Sequence, residues 1–302
     1  MKVTPRLLPF VVLFISLLWG SAFPGIKAIY AEWELMGVDQ NFSNRLLLAG
    51  VRFIIGGSLL LLLAKKPLAE LRQTSFWRLL AFACSQTYFQ YVMFYTALAI
   101  SSAVLGGLLT GSGSIWWLIL APIILKTPWP TWRQWALIGV AVAGVVIAVY
   151  KPGAGSGSPV IGATLFCLST LSGSLGVIVL QKVLKTMGSK AATGFGLLIG
   201  GVMLTLTGVL AWPDIVALFP PKVILVTLYL ACVSAIGFGL WNYLTGIFPV
   251  TLLAGYRFLV PVCAVIESSI LVSGETPGLG IWLGGGLVIL SLLGLQRVKS
   301  KE

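Results

Sequence analysis

Histidine is absent from this sequence, and charge of either sign is scarce. Asp and Glu number 8, Lys and Arg 20, and charged residues make up 9% of the 302 positions. A soluble domain carries about a quarter. There is too little charge here to cover a water-facing surface, so lipid is the natural solvent. A membrane enzyme would need a catalytic cluster: paired acids for a metal, histidine-rich loops, or a nucleophile with a base. The sequence offers none of these, so neither an enzyme nor a metal or cofactor site is expected. Cysteine is sparse too. Cys84, Cys167, Cys232 and Cys263 all lie in apolar runs without CxxC spacing, which leaves out a disulfide framework or a zinc site. No P-loop is present, so ATP does not drive this chain directly.

Apolar residues are plentiful at 58%, and they fall into segments of the ~20 residues a helix needs to cross the hydrocarbon core. The expected spans are 8–31, 42–64, 76–100, 102–125, 132–150, 159–181, 190–212, 222–247, 251–273 and 278–297. The first run continues past the ~7–15 residues of a signal peptide and has no small-residue cleavage site, so it reads as a span.

The net charge of +12 does not imply a nucleic-acid partner, because the cations cluster in short loops rather than on one amphipathic face. With the N-terminus in the cytoplasm, 14 Lys and Arg fall in inside segments and only Lys151 and Lys222 outside. That asymmetry is the positive-inside pattern. The first outside loop is acidic, with Glu32, Glu34 and Asp39. Both termini are then cytoplasmic, which requires an even number of spans. Trp33, Trp77, Trp129, Trp132, Trp135, Trp212 and Trp282 lie near the expected interfaces, as an aromatic belt does. Trp19, Trp116, Trp117 and Trp241 lie deeper.

A Gly/Ser/Pro stretch, Lys151 to Pro159, reads as a flexible linker. It divides the chain into 1–150 and 160–302, with five spans on each side. Five is odd, so the second half enters the membrane inverted. Weak echoes join the halves: Tyr95-Thr-Ala-Leu-Ala-Ile with Tyr243-Leu-Thr-Gly-Ile-Phe, and the Lys126-Thr-Pro-Trp turn with Gly274-Glu-Thr-Pro. The expected fold is an all-α membrane protein of ten transmembrane helices in two inverted five-helix repeats, a plan that secondary transporters use around a midplane site.

Leu18-Trp19-Gly20-Ser21, Val51-Arg52-Phe53, Phe94-Tyr95-Thr96-Ala97-Leu98 leading to Ser102-Ala103, and Gly274-Glu275 occur in an order that resembles the drug/metabolite transporter superfamily, specifically its EamA-type members. The resemblance covers nearly the whole chain. It implies two EamA-like repeats and export of amino acids or other small metabolites. Lys126-Thr127 replaces the Gly-Glu that members often carry. Gly111–Ser114 stands near a common proline, which span nine keeps as Pro261. The sixth span lacks a counterpart of Trp19.

Buried charge marks the candidate site. A lone charge inside a bilayer costs at least ~2.5–3.5 kcal/mol, so Arg52 and Glu267 should face the interior and seek partners, and an ion pair between them is expected. Glu267 is the one carboxylate well inside a span, and with no histidine it is the candidate for proton coupling. Arg257 either snorkels or holds a substrate carboxylate. Lys27, near the outer end of span one, reads as a snorkelling or gate charge.

On span three, Tyr88, Tyr91 and Tyr95 share a face at helical spacing, beside Gln86 and Gln90. These groups suit either interhelical hydrogen bonds or a wet cavity. The candidate substrate-contacting set is Trp19, Arg52, Gln86, Gln90, Tyr91, Tyr95, Ser112, Trp116, Trp241, Asn242, Tyr256 and Arg257. Candidate hinges are Pro24, Gly25, Gly111, Gly113 and Pro261, where proline or glycine weakens the helix. The expected protein is a multi-pass inner-membrane carrier of a small amphipathic solute, in contact with lipid. Pairing of two copies stays open, as do a structural subunit and an enzyme as other classes.

Overall fold

The structure, a computed structural model, describes residues 3–126, 129–150, 158–210, 214–248, 252–253, 256–257 and 259–297. The expected linker up to residue 157 and the interface residue Trp212 fall outside these residues. The described chain is helical, with no strand among the described residues. Its long helices are α1 (Leu8–Leu35), α2 (Phe42–Leu62), α3 (76–100), α4 (Ala103–Leu125), α5 (Trp132–Tyr150), α6 (Pro159–Val183), α7 (Ser189–Val209), α8 (Pro221–Thr245), α9 (Leu259–Leu271) and α10 (Leu279–Arg297). Short helices Pro67–Gln73 and Ile215–Leu218 lie in loops.

Six of these, α1, α2, α4, α6, α7 and α8, are long and apolar enough to cross a bilayer. Large apolar side chains such as Leu62, Leu206, Ile270 and Leu290 point outward from the bundle. In water such a surface would be a liability; in lipid it is the covering the bilayer demands.

Two helices depart from regularity where polar and small residues sit. In α3, Cys84–Phe89 forms a π turn. Its wider winding moves Tyr88 off the face of Tyr91 and Tyr95, so the expected three-tyrosine stripe is split. Tyr88 instead bonds Thr207 of α7 at 3.1 Å. In α4 the winding tightens at Thr110-Gly111, where Gly111, Gly113 and Ser114 donate to carbonyls three residues back. The departure from regular winding falls on the Gly111–Ser114 stretch, as a tightening rather than the expected loosening. By contrast, α1 stays helical through Pro24, so Pro24-Gly25 does not break it.

Glycines set the closest helix contacts. On α2 and α7, a methyl group on Gly57 would lie 2.7 Å from the Gly194 carbonyl oxygen, and one on Gly208 would lie 2.7 Å from the Leu47 amide nitrogen. Backbone touches backbone along this antiparallel pair. The α5–α10 pair is also antiparallel: Gly144 lies against Gly284, and Ser291 Oγ donates to the Leu137 carbonyl at 2.6 Å. Elsewhere α1 packs on α8 and α9, α6 on α3 and α4, α2 on α8, α7 on α3, and α4 on α9.

Candidate functional site

A cavity of about 80 Å³ lies mid-bundle, where α1, α2, α3, α4, α6, α8 and the approach to α9 converge. Each element contributes through its inward stripe: Trp19 and Phe23 from α1, Arg52 from α2, Gln86, Gln90, Tyr91 and Phe94 from α3, and Thr110 from α4. Phe166, Ser169 and Thr170 come from α6, Phe238 and Trp241 from α8, and Arg257 from the approach to α9. A space of this size with polar walls holds several waters.

Two apolar clusters flank it. Ile26, Ile29, Tyr30, Trp33, Leu98 and Leu105 belong to one, toward the end where α1 finishes. Leu8, Val12, Ile15, Trp117, Leu244 and Leu253 belong to the other, toward the end where α1 begins.

Arg52 is buried at 3% exposure. Its Nε donates to Ser234 Oγ and one Nη to the Tyr95 hydroxyl, each at 3.0 Å. Phe53 and Tyr91 rings lie 4.6 and 5.4 Å from the guanidinium carbon. Arg257 packs against Trp117 and Trp241, with ring centroids 5.2 and 5.8 Å away, and these two indoles stack on each other. Its Nε is buried without a hydrogen-bond acceptor. Arg257 does not snorkel to a headgroup; it is held inside by two indoles.

The expected Arg52–Glu267 ion pair is not formed. The ion pairs among the described residues are Lys27–Glu275 and Lys222–Glu32. Glu267 is half-buried on α9, over Gly20 of α1, where a methyl group would lie 3.1 Å from its Oε2. That oxygen has no hydrogen-bond donor. Arg52 turns instead toward α3 and α8, where a hydroxyl on each accepts its protons.

Of the expected contact residues, Trp19, Arg52, Gln86, Gln90, Tyr91, Trp241 and Arg257 line the cavity. Others serve the packing. Asn242 is fully buried and exchanges hydrogen bonds with Gln86 while donating to Thr193 at 3.1 Å, so its amide ties α8 to α3 and α7. Ser112 bonds Thr170 at 2.6 Å and Trp116 donates to the Cys167 carbonyl at 3.0 Å, both tying α4 to α6. Tyr95 holds Arg52, and Tyr256 packs on the cluster around Trp117. Phe23, Phe94, Phe166, Phe238, Ser169 and Thr170 are wall residues that the sequence reading passed over. Phe94 stood in a quoted motif, and the others are single residues in apolar runs without a distinguishing pattern.

A second constellation sits beyond the first apolar cluster. Lys27 Nζ lies 3.7 Å from Glu275 Oε1 and donates to the Ser101 carbonyl at 2.9 Å. Glu275 Oε2 accepts from the Val104 amide at 3.0 Å, at the start of α4 where Ser102 caps the helix. One buried carboxylate thus joins α1, the α3–α4 junction and the turn before α10. Lys27 is therefore paired rather than snorkelling.

The profile of the EamA-like transporter family matches residues 7–150 and again 160–296. The chain belongs to the EamA-like transporter family. The bilayer-length helices and lipid-facing apolar surface agree with this: it is a multi-pass membrane transporter rather than an enzyme, with a small-molecule substrate and a lipid environment. Among relatives of this EamA-like transporter, the uncharacterized transporter YvbV of Bacillus subtilis (strain 168) is 27% identical, over 95% of this chain and 90% of that protein. One solved crystal structure of a protein superposes with a TM-score of 0.69 at 15% identity, over 95% of this chain and 96% of that one. That likeness concerns the fold.

Proposed function

We propose that this EamA-like transporter moves small amphipathic metabolites across the inner membrane by alternating access, acting as an exporter, with amino acids the first class to test. The observation that carries this reading is the mid-bundle cavity, aromatic-walled, holding Arg52 and Arg257 and bounded by an apolar cluster toward each end. Alternating access requires such a site, reached by parting one seal at a time.

The proposal includes ten spans in two inverted halves, α1–α5 and α6–α10. Several observations support it. Helices five apart pair with themselves in antiparallel fashion, α2 with α7 and α5 with α10. Antiparallel pairing of equivalent helices needs a two-fold axis across the helices, which lies in the membrane plane. The other contacts are reciprocal under the same exchange: α1 on α8 and α9 answers α6 on α3 and α4. The family profile matches twice, once in each half. Lys126 and Gly274, at equivalent turns, both have positive φ, 57° and 79°.

Motion is assigned to α4 and α9, where Gly111 meets Pro261 and α4 already departs from regular α-helical winding. Glu267 is the proposed coupling carboxylate. Purified protein in liposomes, given labelled amino acids with and without a pH gradient, tests both statements. Saturable flux that the gradient accelerates is expected, and Glu267→Gln should remove the gradient's effect while leaving exchange. No saturable flux for any amino acid would sink the amino-acid reading, and an unaltered pH response in Glu267→Gln would sink the coupling role.

A further inference from the structure

We infer that the solute is an organic anion: a carboxylate with an apolar or aromatic body and no free amine. The inference rests on the reading of a carrier for small amphipathic metabolites, replaces amino acids as the favoured class, and follows from the charge inventory of the cavity.

Two guanidiniums line the wall, and no carboxylate does among the described residues. Neither arginine has an acid within ion-pair reach among the described residues. Glu275 and Glu267 are committed elsewhere or displaced. Glu275 is held by Lys27 and the Val104 amide. Glu267 sits over Gly20 and is not part of the lining. Buried charges are normally paired, so two cations facing one enclosed, largely aromatic space call for an anion from outside the chain.

The geometry shows which groups would do the holding. Ser234 and Tyr95 take two of the five N–H groups of Arg52, which fixes its plane and leaves others uncommitted. Trp117 and Trp241 flank Arg257, whose Nε has no acceptor. A fork of parallel N–H donors is the natural recogniser of a carboxylate. Phe23, Phe94, Phe166 and Trp19 then receive the apolar body. A zwitterionic amino acid would carry its ammonium into the same space, beside two cations and with no acid to receive it.

Three ligands with one aromatic body separate the cases: N-acetylphenylalanine (anion), phenylalanine (zwitterion) and phenylalaninamide (cation), with phenyl phosphate as a fourth arm. Thermal stabilisation of the full chain in detergent reads binding, and counterflow in liposomes reads transport, both at pH 7.5. N-Acetylphenylalanine should stabilise the protein and exchange saturably, half-saturating at a concentration about tenfold or more below phenylalanine, with no response to the amide. Arg257→Gln and Arg257→Lys should each raise that concentration about tenfold or more, the lysine variant because it keeps the charge and loses the fork.

Preference for phenylalanine or its amide would overturn the anion inference and leave the transport reading standing. Preference for phenyl phosphate would overturn the carboxylate. Stabilisation by the anion without counterflow would uphold the site and overturn transport. No binding of any ligand, or unchanged anion affinity in Arg257→Lys, would overturn the inference outright.

Discussion

Lys126 closes α4 with φ of 57°, the left-handed region where a side chain crowds the following carbonyl. Such a position costs a non-glycine residue about 1–2 kcal/mol. Gly274, in the turn after α9, takes a positive φ without that cost. Lys126→Gly should therefore stabilise the protein by ~1 kcal/mol, read as a raised unfolding temperature in detergent at constant ligand and lipid. The departure from the family's Gly-Glu, visible in the sequence, is thus a local backbone effect.

The two cavity arginines were equally visible, because a charge in a bilayer must be placed inward. Their partners were not. Sequence spacing ranks neighbours along one helix, whereas Arg52 takes its hydroxyls from α3 and α8, 43 and 182 residues away. Trp116 and Trp117 show the same limit. They differ by about 100° of rotation, and the tightened turn at Thr110-Gly111 resets the phase before them. Trp117 is the one that reaches Arg257.

At the scale of the element, helix positions were legible because bilayer thickness dictates length, and α2, α6 and α7 begin within one residue of expectation. The π turn in α3 was not. Nothing in Cys84-Ser-Gln-Thr-Tyr-Phe forbids an ordinary helix, and the extra residue becomes favourable only when Gln86 and Thr87 are buried against α6 and α7. The glycine contacts make a sharper prediction. Gly57→Leu places a side chain against Gly194 and Leu198 backbone atoms that cannot rotate away, so folded yield on size-exclusion chromatography should fall several-fold. Gly286→Ala, with nothing within 4 Å, should behave as the unaltered protein.

At the scale of the whole molecule, the charge asymmetry predicts that both chain termini lie in the cytoplasm and the acidic loop after α1 lies outside. A reporter that works only in the cytoplasm, fused after residue 302, should be active, and one fused in the acidic loop at Gly37 should be silent. The reverse pattern would turn the molecule over.

The glycine-lined pairs also restrict how such a molecule can move. Where backbones touch, repeatedly along α2–α7 and at Gly144 and Gly284 of α5–α10, sliding by one residue would drive larger side chains into the gaps left by glycines. The α2–α7 and α5–α10 pairs therefore behave as two fixed staves. Under the proposed alternating access, the change of access falls to the helices between them: α1 and α6, α3 and α8, and α4 and α9. The moving parts are the same ones that carry most of the cavity wall, so opening a seal and reshaping the site are one mechanical event.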